Sequence, residues 1–256
     1  MQEEWRICSL GGDALALILQ QSNSTYQERS VEERVAFALK ICSMHQRDMC
    51  NVIRLILRGL DIDTTVCCFR DCDGETLLHK AAYNLGYMTY LSSGLQDAKF
   101  DDLMGIICDL VKGGSDTHAL TIHGRTPVLK ILDGFLCFDA WDKNIQNFTR
   151  SLRFWLKQLQ LSGIDLNEYG RREKAVLQSP DYLMGGPVFW GVGVEGKRGR
   201  NGTYTKFRMI SFTYGPEPDD WVFFFEPVME DWFLEFWDML DHPERAMPGA
   251  WEDSWY

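Results

Sequence analysis

Residues 73–83 read DGETLLHKAAY. An acidic turn closed by Gly74 leads through Thr76 into an apolar run that carries one histidine, His79. Cys67, Cys68 and Cys72 precede it. Two readings compete. Either His79 is a metal ligand or catalytic base, or its ring pins a turn to a helix. The first makes a protein that does chemistry, the second one that holds another molecule.

The chemical readings find little support. The spacing C-C-x3-C-x6-H is not that of a zinc site, which offers two separated C-x(2–4)-C or H-x(3–5)-H pairs. Cys42, His45 and Cys50 form a weaker set on a helical run. Buried cysteine acting as a small hydrophobe accounts for most of these positions. Asp71, Asp73 and Glu75 lack the alternating oxygen series of a calcium loop. The glycine-rich GVGVEGKRGRNG (191–202) lacks the Gly-Lys-Ser/Thr of a phosphate loop, and Asn201-Gly202 reads as a hairpin turn. No G-x-S-x-G, H-E-x-x-H or kinase motif occurs, and His118, His123 and His242 sit in no recognisable catalytic frame. No catalytic residue, metal or cofactor is therefore expected.

Outward from His79 the chain is helical. VEERVAFALKICSM places Val35, Ala38, Leu39 and Cys42 on one face behind an acidic first turn. DMCNVIRLILRGL (48–60) repeats the pattern and stops at Gly59. DDLMGIICDLVKGGSD (101–116) aligns Leu103, Met104, Ile107 and Leu110, with Asp101 or Asp102 as cap and Gly113-Gly114 as exit. SLRFWLKQLQLSGIDLNEYGRRE (151–173) reads as one further helix with a glycine exit.

These helices come with a recurring turn. Gly114, Asp116, Gly124 and Thr126 match Gly59, Asp61, Gly74 and Thr76 in order; Pro127 follows the one threonine, Leu78, His79 and Ala81 follow the other, and Gly163, Asp165 and Gly170 echo the turn. This is similar to the T-P-L-H-x-A frame of ankyrin repeats, over roughly residues 25–175. The resemblance implies a helical solenoid in which Thr76 and His79 hold the turn. Leu77 replaces the usual proline, and Leu129 stands where a second histidine would sit. The turn from Gly59 to Gly74 is five residues longer than that from Gly114 to Gly124, and the turn from Gly163 to Gly170 three shorter. Insertions are expected at 84–99, between paired helices, and near 133–150.

After residue 180 the pattern changes to strands. Val188, Trp190, Val192 and Val194 alternate; Tyr204, Phe207, Met209 and Phe212 do so imperfectly; DDWVFFFEP (219–227) is a third strand ended by Pro227. EDWFLEFWDMLDHP (230–243) is an amphipathic helix. The blocks at 161–174, FTYGPEPDDW (212–221) and PGAW (248–251) resemble segments in ankyrin-type proteins of filamentous fungi. That implies a fungal source and no particular activity.

Composition is that of a folded domain: 256 residues, 45% hydrophobic, 25% charged. No apolar stretch approaches the roughly 18 residues of a membrane span, and no signal peptide is read at the N-terminus. Eight cysteines without a dense framework suit reduced thiols in the cytoplasm or nucleus. Residues 217–256 hold twelve acids against Arg245, which equals the whole chain's net charge of −11. A basic stretch at 171–208 precedes this acidic one, so the two complement each other and argue against a nucleic-acid partner.

The expected protein is mainly α: a short irregular ankyrin-repeat solenoid (1–175) capped by a Trp-rich acidic α+β module (176–256). Repeat stacks cannot bury their terminal faces alone, so a cap is required. The function expected is non-enzymatic. A protein partner would be held at the turn fingertips and inner helices, by Arg70, Asp71, Asp73, Thr121, His123, Asn167 and Tyr169. Gly74, Thr76, Leu78, His79, Gly124, Thr126 and Pro127 are the structural frame. The alternatives are an enzymatic or toxin-like C-terminal module regulated by the repeats, and a metal or redox sensor.

Overall fold

The computed structural model describes residues 29–44, 53, 61–91, 98–136, 145–179 and 206–228. Within these the chain is mainly helical, with one small antiparallel sheet. The helices are α1 (Val31–Met44), α2 (Thr64–Cys68), α3 (Leu77–Leu91), α4 (Ala98–Lys112), α5 (Pro127–Leu136), α6 (Ile145–Leu161) and α7 (Leu166–Leu177). Strands β1 (Lys206–Thr213) and β2 (Val222–Val228) follow, joined through a 3-10 turn at Pro218–Asp220. Among the described residues no helix is long and apolar enough to cross a membrane.

Local chemistry sets most helix ends. Ser30 and Glu33 exchange side-chain and backbone bonds ahead of α1, a reciprocal cap. Val35, Ala38, Leu39 and Cys42 are buried, as their spacing requires. Asp63 accepts from the backbone of Thr65 and Val66 and starts α2. That one-turn helix is five residues long and occupies the turn in which the sequence carries five extra residues. Helices α4 and α6 both end with a positive-φ glycine, Gly114 and Gly163, whose neighbours' amides return to the last helical carbonyls.

Several boundaries differ from the sequence reading. The first part of the insertion expected at 84–99 is helical: Asn84–Leu91 continues α3, and Asn84 and Leu85 are buried there. Helix α4 begins at Ala98, so Asp101 lies inside its first turn and does not cap it. Residues 151–173 are not one helix. The chain breaks at Gly163, and Asp165 caps the new helix α7 by accepting from the amide of Asn167. Gly170, matched in sequence to the turn glycines, therefore lies inside a helix. Its role is close approach: a Cβ there would stand 2.4 Å from Cγ of Tyr214. Helix α7 also runs to Leu177, past the expected domain boundary at 175.

Helices α3 and α5 form the central pair, with α4 and α6 against α3. The core between them holds Leu77, Leu78, Ala81, Leu85, Leu103, Ile107, Leu129 and Trp155, all fully buried. The sheet packs on α7 through aromatic rings. Trp221 stacks on Phe212 at 5.0 Å, lies 6.0 Å from Tyr169, and donates its indole N–H to the carbonyl of Gly215 at 3.2 Å.

The imperfect alternation of β1 has a cause. The register slips between Met209 and Ser211, which turns Met209 and Phe212 both inward and leaves Ile210 45% exposed. Strand β2 starts at Val222, because Glu217–Asp220 is taken up by a turn closed between the Glu217 amide and Asp220. It also runs one residue beyond Pro227. The first strand of the expected hairpin, the amphipathic helix at 230–243 and the 248–251 block lie outside the described residues. So does the helix at 48–60, apart from buried Ile53.

Candidate functional site

Two surface turns, 71–75 and 121–125, carry the site. They are built alike, fifty positions apart. In the first, the amide of Asp71 donates to the carbonyl of Glu75 and the Gly74 amide to Asp71. In the second, Thr121 donates to Arg125 and Gly124 to Thr121, at the same distances of 3.0 Å. Gly74 and Gly124 adopt φ of 73° and 69°, a left-handed conformation that glycine reaches without steric cost. One side-chain oxygen organises each loop: Asp71 Oδ1 accepts from the amides of Asp73 and Glu75, and Thr121 Oγ1 from those of His123 and Arg125. The turns dock directly, the Ile122 amide donating to the Asp73 carbonyl at 3.0 Å. Arg70 adds a stitch from Nη1 to the carbonyl of Leu120 at 2.7 Å.

His79 is the internal bolt of this assembly. Its Nδ1 receives the Thr76 backbone N–H at 3.1 Å and lies 2.9 Å from the Thr76 hydroxyl. An amide can only donate, so Nδ1 carries a lone pair and the proton sits on Nε2. Nε2–H then donates to the carbonyls of Ala119 at 3.0 Å and Arg125 at 3.2 Å. The ring thus joins the start of α3 to the following turn as well as to its own. Fully buried, it is pushed below the ordinary histidine pKa by desolvation, which outweighs the two carbonyls. Both nitrogens are committed, which leaves no lone pair for a metal or a substrate proton.

Behind the tips runs a chain of alternating charges. Asp71 and Glu75 flank Lys80; Glu75 and Asp133 flank Lys130; Asp133 ends on Arg125. Burial acts to raise the Glu75 carboxyl, but Lys130 and Lys80 outweigh it and hold it below the usual range. Lys80, desolvated in turn, is still raised by Glu75 and Asp71.

A third feature escaped the sequence reading. Glu173, on α7 and 2% exposed, places Oε1 2.8 Å from Nδ1 of His118 and receives the Thr126 hydroxyl on Oε2 at 2.9 Å. The His118 ring lies tilted against Tyr169 at 4.8 Å, and the Trp155 indole N–H donates to the Tyr169 hydroxyl at 3.0 Å. Burial raises the Glu173 carboxyl, against the pull of His118 and Thr126. The signal was present in the spacing: Leu166, Tyr169, Gly170, Glu173 and Leu177 recur at helical intervals and share the buried face.

The expected binding residues divide. Asp73, His123 and Asn167 are exposed. Arg70 is exposed but spent on the turn carbonyls. Asp71 and Thr121 are the organisers of their loops, and Thr121 is buried. Tyr169 is no fingertip at all: it is 1% exposed inside the α7 core. Leu78 and Thr126 are fully buried, and Pro127 is the first residue of α5, where its missing N–H costs nothing. Exposed apolar side chains were also missed: Leu120 at 44%, just before the second turn, and Ile122 at 66%, within it.

Compared with known proteins, the chain matches no protein-family model, no curated protein and no solved structure.

Proposed function

We propose that this is an ankyrin-type repeat protein that works without catalysis and holds a protein partner at its turn tips. The observation that supports the reading is the pair of turns with one hydrogen-bond pattern, docked through Ile122 and Asp73 and bolted by His79. Such a pair presents Asp73, Ile122 and His123 on rigid backbone, which lowers the ordering cost of binding. The aromatic contact of Trp221 and Tyr214 with α7 supports the role of the C-terminal module as a cap. Among the described residues, unbridged thiols at Cys67, Cys68, Cys72 and Cys108 support a reducing compartment, cytoplasm or nucleus.

The test is affinity capture from the source organism with the native chain and with Asp73→Arg/His123→Glu, both shown to be folded by their thermal melts. The reading expects at least one saturable partner that the variant loses. Identical partner sets for the two proteins would sink it.

A further inference from the structure

A second surface, made from other elements than the turns, has the character of a ligand cleft. It lies between α6 and the Pro218–Asp220 turn, open to solvent, with a volume of about 300 Å³. Its helical wall carries Arg150, Arg153 and Lys157 around Phe154, and its far wall Glu217, Pro218 and Asp219. Residues three and four apart share a helix face, so the three cations form a row about 10 Å long.

The charges on this row are not used up internally. Arg150 lies over the Phe154 ring at 5.7 Å, which orients it without neutralising it. Arg153 reaches Asp219 only at 3.6 Å, with the two side chains 47% and 89% exposed, a pair weak enough to exchange. Lys157 has no ion-pair partner among the described residues. Glu217, in contrast, is held on its own side: it accepts from Gln160 Nε2 at 3.0 Å and closes the 3-10 turn. In a chain of net charge −11, this leaves a cationic wall opposite an acidic one across a small, partly apolar gap.

We infer that this cleft binds an extended acidic peptide, with its carboxylates on Arg150, Arg153 and Lys157 and its backbone passing Phe154 and Pro218. Alternate side chains of an extended chain stand about 7 Å apart on one side, which fits two carboxylates along the row. The opposite side chains then face Glu217 and Asp219, where neutral or basic groups are accepted. That second wall is what favours a peptide over a nucleic-acid strand, whose continuous phosphates it would repel.

The test is fluorescence anisotropy on the full chain. The probes are a short labelled peptide with glutamate at three alternate positions, the same peptide with glutamine there, and a thymidine oligonucleotide of matched length. The glutamate peptide should bind about tenfold tighter than the glutamine peptide, and Arg150→Glu/Lys157→Glu should remove that margin. Both positions are exposed, so the variant is expected to fold. Lys112→Glu/Arg172→Glu, on exposed positions elsewhere, should leave the margin in place. The proposal is overturned if the two peptides bind alike, if the control variant loses as much as the cleft variant, or if the oligonucleotide binds more tightly than the peptide.

Discussion

The hydroxyl of Thr126 lies 2.9 Å from Oε2 of Glu173, 47 residues further along the chain, where the equivalent Thr76 hydroxyl meets His79 only three residues on. The same turn is thus locked in two ways. In the first, a histidine on the turn's own helix reaches forward to the next turn. In the second, Leu129 replaces the histidine and is buried as core. A carboxylate from α7 takes over the threonine, and His118 covers its other oxygen. A short local lock has been exchanged for a long-range one, which ties α7 and the sheet packed on it to the turns.

His79→Ala should cost about 1–3 kcal/mol, because it strands the Thr76 amide and the carbonyls of Ala119 and Arg125 in a buried site. Urea unfolding of the purified chain measures it. A change below a few tenths of a kcal/mol would mean that the ring is not the bolt described.

His79 should also make stability depend on pH. Its folded pKa is depressed below the ordinary 6.5, so the unfolded chain binds the proton more readily. The stabilisation is fully present above about pH 6.5 and is lost as pH falls towards and through the folded pKa. The native chain should therefore lose stability across that window relative to His79→Gln, which cannot titrate. Parallel denaturation curves for the two proteins would contradict this.

Glu173 has the opposite sign. Burial raises its folded pKa above the ordinary 4.5, so its contribution is fully present below pH 4.5 and fades as pH rises through the folded value. Glu173→Gln keeps an acceptor for Thr126 and a group facing His118 while removing the charge. The variant should gain on the native chain as pH rises above 4.5, read from paired melting curves. Glu173→Leu should lose the Thr126 and His118 contacts and cost about 1–3 kcal/mol.

Gly170→Ala tests the seat of the C-terminal sheet. In an ordinary helix the change stabilises by about 0.5–1 kcal/mol. Here the new methyl would meet the Tyr214 ring, and overpacking should reverse the sign to a net loss of about 1–3 kcal/mol. Trimming Tyr214 to Ser in the same chain should make the alanine far less damaging. A double-mutant cycle that sums additively would place Tyr214 elsewhere.

Apolar spacing and turn chemistry make the local pieces legible without the fold. Apolar spacing placed Val35, Ala38, Leu39 and Cys42, and Leu103, Met104, Ile107 and Leu110, on buried faces, since a helix of 3.6 residues per turn sets them on one side. The turn glycines at 74 and 124 and the threonines after them were equally legible, because each carries its own conformational or hydrogen-bonding demand. Even the five extra residues before Gly74 were countable, and they became α2. What the tertiary structure alone decided is which groups meet. Gly170 looked like a turn glycine until Tyr214 was seen to lie against it. Tyr169 looked like a fingertip until Trp155 and Trp221 enclosed it. Glu173 and His118, 55 residues apart, became partners only when α7 closed over the second turn. Helical period and turn chemistry act between neighbours in sequence. Burial of a carboxylate or an aromatic ring depends on every element that packs around it, and no short stretch of the chain contains that information.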